Sequence, residues 1–160
     1  MPKFSKRSQS KLDTCHKDIQ KVFNEVIKHF DCSVLEGTRP KEVQDEYFRT
    51  GRSKVKYPNS KHNTSPSRAV DVAPYPIDWN DKERFYFFAG YVKGIASQMG
   101  IELRWGGDWD SDNERFYFFA GYVKGIASQM GVELRWGGDW DSDNELHDQT
   151  FMDLPHFELR

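Results

Sequence analysis

ERFYFFAGYVKGIASQMGIELRWGGDWDSDN, residues 83–113, is followed without a break by the same sequence at residues 114–144, with Val132 in place of Ile101 as the one change. In the first copy Phe85, Phe88, Val92, Ile95 and Met99 step by three and four, which predicts an amphipathic helix. Gly100 predicts its end, and residues 101–105 read as a strand. Asn80 before Glu83 and Ser111 before Glu114 have the spacing of capping boxes. Each unit is therefore helix, turn, strand and acidic loop, and each carries its own start signal. A period of this length suits a solenoid, but two copies are too few to bury a stacked core, and the flanks do not continue the pattern. The reading is a tandem duplication inside an already complete domain.

Outward from the repeat, residues 18–30 place Ile19, Val22, Phe23, Val26, Ile27 and Phe30 on one helical stripe. Residues 32–38 read as a strand, and Pro40 opens a helix that Gly51 closes. Residues 52–67 read as a polar loop, 69–75 as a short strand and 156–160 as a last strand. This pattern predicts one α+β domain over residues 1–160, with helices packed on a small, mainly antiparallel sheet. Only one helix–strand unit is needed to complete it. The domain can use helix 1 with strand 1, helix 2 with strand 2, or helix 1 with strand 2; proximity in sequence to residues 153–156 favours strand 2. Each apolar side chain of the surplus helix left in water forfeits roughly 1.5–3 kcal/mol. That cost predicts packing on the outside of the domain, a homodimer or a domain swap.

The chain has 160 residues, with 23 Lys+Arg against 25 Asp+Glu and a net charge of -2. So even a balance argues against a chain-wide nucleic-acid or membrane-surface binder. No apolar run approaches the roughly 20 residues of a membrane span. The basic start, MPKFSKRSQSKL, has no apolar segment behind it, so no secretory signal is expected and the segment reads as a solvated tail. Cys15 and Cys32 match no metal or redox spacing and read as buried or idle thiols, with a structural disulfide as the alternative.

Three groups of residues are candidates for chemistry. A catalytic zinc takes three N/O protein ligands and one open position. Asp71 in one strand, His156 in another and His62 in the loop suit that need if the two strands pair. Asp153, three residues before His156, would then stand beside the metal water as general base. Taken singly, each also suits an ordinary hydrogen-bonded group. The alternating carboxylates Asp139, Asp141 and Asp143 suit a calcium site, or simply an acidic helix-capping turn, since the full calcium-loop pattern is absent. Trp105, Trp109, Trp136 and Trp140 suit either a substrate cleft or core packing.

The segments Ser60-Lys61-His62, SRAVDV (67–72), LRWGGDW (103–109 and 134–140), DLPHFEL (153–159) and EGTRPKEVQ (36–44) together resemble the VanY-like zinc peptidases. The nearest likeness is to phage endolysins that are L-alanyl-D-glutamate peptidases. The motifs stand in the family's order and span most of the chain. The resemblance implies zinc held by His62, Asp71 and His156, with Asp153 as base and Arg39 stabilising the oxyanion or holding substrate. It implies Gln44 and Ser60 as supporting groups; with Trp136 and Asp139 they make the substrate-binding candidates. It further implies peptidoglycan as the partner, synthesis in the host cytoplasm and release to the wall through a holin. Two departures stand out. The spacing from His62 to Asp71 is longer than the family's, with Pro66 where a glycine is usual, and the duplication falls between two of the implied ligands. Rival readings are a D-Ala-D-Ala carboxypeptidase and an inactive wall- or metal-binding module.

Overall fold

A computed structural model describes residues 1–107 and 112–160. Among the described residues, five α-helices run in chain order: α1 (Lys6–Leu12), α2 (Lys17–His29), α3 (Lys41–Arg49), α4 (Lys82–Gln98) and α5 (Asp112–Met130). The strands are β1 (Cys32–Glu36), β2 (Asp71–Pro74), β3 (Leu134–Gly137) and β4 (Asp153–Leu159). The class is α+β as expected. The single sheet is not: β1 pairs antiparallel with β2, and β3 pairs antiparallel with β4, as two separate two-stranded sheets.

The predicted stripe of α2 is the face that buries. Ile19, Val22, Phe23, Val26 and Ile27 are all inside, and Phe30 beyond them is ringed by Phe87, Phe88 and Tyr91 of α4 at 5.0–5.9 Å. Aromatic pairs at such tilted geometry add to the area they bury. The N-terminal segment is no loose tail. Ser5 caps α1, Leu12 is fully buried, and the Ser8 hydroxyl accepts from the Val34 amide of β1 at 3.2 Å. Pro40 is the N-cap of α3 and not its first helical residue. Asp81, rather than Asn80, caps α4 by accepting from the Arg84 amide. Ser111, with Asp108, Trp109 and Asp110, lies outside the described residues. Both cysteines are buried free thiols, and burial raises the Cys32 thiol to about 12.

The repeat resolves as helix 1 with strand 2. Helix α4 packs on α2 and β2, while the core tryptophan is Trp136 of β3, stacked on Phe87 at 5.3 Å. The second helix, α5, lies along α4 and buries both glycine rows. A Cβ on Gly90 would run into the Phe118 carbonyl, and one on Gly121 into the Phe87 carbonyl; Gly94 and Gly125 meet Tyr122 and Tyr91 in the same way. Helix α4 is therefore buried on two sides, which the one-stripe reading missed. The outer side of α5 leaves Phe116, Phe119 and Met130 41%, 56% and 65% exposed. Because the obstacle at Gly90 is backbone, a side chain there can only push the helices apart. Gly90→Val is expected to cost at least about 1–3 kcal/mol of stability, read by urea denaturation; an unchanged midpoint would show that the helices do not pack this closely.

Candidate active site

The motif at residues 36–44 builds a rigid corner. An irregularity after Val34 sets Glu36 opposite Asp71 in the β1–β2 ladder. Arg39 is buried, and its Nε and Nη2 donate to the two Glu36 carboxylate oxygens at 2.6 and 2.8 Å. Its Nη1 donates to Gln44 Oε1 at 3.0 Å, and its Nη2 lies 3.7 Å from Asp71 Oδ2. Gln44 is wholly buried and donates onward to Ser53 Oγ and the Val55 carbonyl. The guanidinium thus braces Glu36 beside Asp71 while lining the cleft next to it, and Gln44 braces Arg39.

The corner also docks His62. Residues Lys61–Asn63 form one turn of 3-10 helix, capped by Ser60, whose hydroxyl accepts from the His62 amide at 3.3 Å. Asn63 Nδ2 donates to the Arg39 carbonyl, and the Arg39 amide donates to the His62 carbonyl. Ser60 therefore holds the turn that carries His62. The longer His62–Asp71 loop is absorbed without displacing the histidine, because both ends of the turn are tied to the corner.

His62 Nδ1 is 2.8 Å from the Gly37 carbonyl. A carbonyl only accepts, so Nδ1 carries the proton and Nε2 presents its lone pair. Gly37 has no alternative, since a Cβ there would strike the Lys11 carbonyl and Thr14 Oγ1. His62 Nε2 stands 3.5 Å from Asp71 Oδ1. Two acceptors face each other, an arrangement that calls for a proton or a cation between them. Burial works against charging His62, but Asp71 and the Gly37 carbonyl outweigh it and its pKa is raised. That of Asp71 is lowered, chiefly by the bond with His62. Among the described residues, Glu36, His62 and Asp71 bring donor atoms within 4.8 Å of one another.

His156 is not part of that group. The expected pairing of its strand with that of Asp71 is not what the structure has: β4 pairs with β3, and β2 with β1. His156 Nε2 is engaged with Glu158 Oε2 at 3.1 Å, and its ring lies against Trp140 at 5.3 Å. Asp153, opposite Gly137 at the start of β4, is in the same second sheet. The physical reason is the repeat. Strand 2 holds β4, and the strand-1 segment borders the space beside Asp71.

That space is a cleft of about 690 Å³, lined by Glu36, Arg39, Val70, Asp71 and Val72 and by Arg104, Trp105 and Gly106. Tyr47, Arg52 and Trp79 also line it. Of the repeat's described tryptophans, Trp105 lines the cleft. Trp136 is fully buried in the core, and Asp139 is fully buried too, so neither is placed to contact substrate there. Sequence reasoning missed Glu36, Tyr47, Arg52 and Trp79, which no spacing rule connects to His62.

The acidic loop forms a second group. Asp139, Asp141 and Asp143 bring carboxylate oxygens within 4.8 Å of one another. Asp139 Oδ1 accepts from the Asp143 amide at 3.1 Å, while its Oδ2 and the hydroxyl of Ser142 are buried with no hydrogen-bond partner. Burial raises Asp139 to about 6. Ser142 and Asn144 adopt φ of 64° and 68°, so the backbone turns sharply around this group.

The chain matches the family described as phage L-alanyl-D-glutamate peptidases over residues 1–119 and again over 111–160. The two matches meet inside the repeat. The chain is 34% identical over 115 residues to the L-alanyl-D-glutamate peptidase of Escherichia phage T5, covering 68% of this chain and 82% of that protein. Among solved structures, the L-Ala D-Glu endopeptidase ChiX of Serratia marcescens aligns over 98% of this chain and 89% of its own, at 24% identity and a TM-score of 0.42. A likeness at that level carries no weight for site or activity.

Proposed function

The chain belongs to the phage L-alanyl-D-glutamate peptidase family, and on that premise we propose that it is a zinc-dependent endopeptidase that cuts the L-Ala–D-Glu bond of peptidoglycan stem peptides. The observation that carries the metal is the His62 Nε2 lone pair facing Asp71 Oδ1 at 3.5 Å, with the other ring nitrogen fixed by a carbonyl. Such an outer partner is what a metal-ligating histidine characteristically has. His62 and Asp71 would supply two of the three ligands of a catalytic zinc site, and His156 would have to be brought to them as the third; Glu36 is the other nearby carboxylate but is already paired with Arg39. Bound there, zinc would polarise the scissile carbonyl and acidify a water.

The remaining roles fall to the chain's own groups. Asp153 takes a proton from the attacking water and returns it to the leaving amine. Arg39 keeps Asp71 ionised and aimed. Arg52, stacked on Tyr47 at 4.9 Å and without an ion-pair partner among the described residues, suits a substrate carboxylate at the cleft wall. The partner is bacterial peptidoglycan. The enzyme works on the wall after holin-mediated release from the host cytoplasm. No described helix is long and apolar enough to cross a membrane.

Mass spectrometry of purified peptidoglycan, incubated with the protein after chelation and with or without restored zinc, tests the reading. New L-alanine carboxyl ends with matching D-Glu-started peptides, only with zinc, are expected. Release of terminal D-alanine would mean a carboxypeptidase. No product from a folded, zinc-loaded sample would mean a binding module.

Calcium at Asp139, Asp141 and Asp143 is a second metal reading, favoured by the buried, unpartnered Asp139 Oδ2. Asp139 ionises less readily folded than unfolded. Without a cation its contribution to stability is therefore full below about pH 4 and lost as pH rises towards 6. The shift corresponds to about 3 kcal/mol at neutral pH. Asp139→Asn is expected to melt higher than the parent at pH 7 in chelator, and to lose the calcium-induced rise in Tm that the parent shows. A parent indifferent to calcium would end this reading.

A further inference from the structure

The two repeat units keep the same internal geometry. Lys93 Nζ donates to the Leu103 carbonyl at 2.5 Å and Lys124 Nζ to the Leu134 carbonyl at 2.8 Å. The Ile101 amide reaches the Ala96 carbonyl, and the Val132 amide the Ala127 carbonyl, at 2.9 and 3.0 Å. The units also face each other as a two-fold pair. Trp136 stacks on Phe87 and Trp105 on Phe118, both at 5.3 Å, with Tyr117 and Tyr86 edge-on to the same two tryptophan rings. Residues 101–107 are thus presented by α4 as residues 132–138 are presented by α5.

Their employment differs. Residues 132–138 include β3, which holds β4, and Arg135 forms an ion pair with Glu158 across that ladder. Residues 101–107 pair with no strand among the described residues, and Arg104 has no ion-pair partner there. Arg104, Trp105 and Gly106 instead line the cleft together with Val70 and with Asp71 and Val72 of β2.

We infer that residues 101–107 are a second docking edge for β4 of the same chain, and that β4 moves from β3 to this edge when the metal binds, carrying His156 to His62 and Asp71. The inference rests on the zinc reading above. Between the two edges only Ile101 and Val132 differ, and Val132 is not paired with β4. The register that sets Leu134, Arg135 and Trp136 against Leu159, Glu158 and Phe157 therefore sets Leu103, Arg104 and Trp105 against the same three residues. One ladder is lost and a chemically identical one is formed, so the balance is set by whatever else distinguishes the two places. At β3, His156 meets Glu158 and Trp140; in the cleft it faces a two-ligand metal group. A ligand shifts such an equilibrium by its differential affinity for the two states. The connection from β3 to β4, residues 138–152, reaches up to about 50 Å when extended. Transfer within one chain also has a high effective concentration over transfer between chains.

Hydrogen exchange of the unmodified protein, in zinc and in chelator, reads the move directly. Ile101 and Val132 give peptides from the two edges different masses. Zinc is expected to slow exchange at residues 102–106 at least tenfold and to speed it at 134–137. Calorimetry on the same sample counts zinc, and a double variant, Leu103→Cys with Leu159→Cys, checks proximity by intramolecular disulfide formation in zinc. Zinc bound with 134–137 still protected and 102–106 still open would overturn the exchange while leaving the metal reading standing. Failure to bind zinc at all would overturn the metal reading and the inference with it. A disulfide that the double variant forms only between chains would overturn the single-chain exchange in favour of a swapped dimer.

Discussion

Replacing His62 with alanine is expected to remove zinc and lower peptidoglycan turnover by about 10³-fold or more. Lewis-acid stabilisation of this kind is worth several kcal/mol, and about 4 kcal/mol corresponds to about 10³ in rate. The residue is placed for that effect. Its turn is capped by Ser60, its Nδ1 is tied to the Gly37 carbonyl, and its free nitrogen faces Asp71. Because the imidazole is also buried, the alanine variant loses packing, and a fold defect has to be separated from a metal defect. Asp71→Asn does this. Asp71 is exposed and its replacement keeps volume, so the fold should survive while zinc affinity drops on the order of tenfold or more. Zinc content, melting temperature and turnover measured on both variants make the test. Full zinc occupancy and undiminished turnover in His62→Ala would remove His62 from the site.

Asp153→Ala is expected to show the opposite split. Zinc stays bound, the melting temperature changes little, and turnover falls about 10²–10⁴-fold, the range of a lost general base. The side chain is half-buried at the mouth of β4, opposite Gly137, and is not among the donors gathered around His62. The variant thus tests whether a residue of the second sheet acts in the cleft of the first. Wild-type turnover in a zinc-loaded Asp153→Ala sample would reject the base assignment. Reduced turnover, with zinc retained and melting unchanged, would support Asp153 as the base.

Much of the fold is legible in the sequence alone, wherever the signal is local. The α2 stripe, the glycine stops after both repeat helices and the β1 and β2 segments follow from periodicity and turn chemistry, which act over a few residues. The motif at residues 36–44 announces Arg39 and Gln44 but not their task. Only the network Glu36–Arg39–Gln44–Ser53 shows that the two side chains brace each other and the corner. In the same way the acidic loop is visible as carboxylates at alternating positions. Its buried, unpartnered oxygen at Asp139 is not, because burial depends on residues far off in the chain.

The repeat marks the boundary most sharply. Its two near-identical units state which helix, turn and strand will form, since local propensity is the same for both. They are silent on which unit is used where, since any preference encoded in one copy is encoded in the other. That choice falls to contacts outside the repeat. Phe30 and α2 take α4 into the core, the backbone-to-backbone approach at Gly90 and Gly121 settles α5 beside it, and β4 pairs with β3, whose Trp136 closes the core on Phe87. The site divides along the same line. His62 and Asp71 meet because one short loop and one ladder join them, whereas the place of His156 depends on which of two equal edges holds its strand.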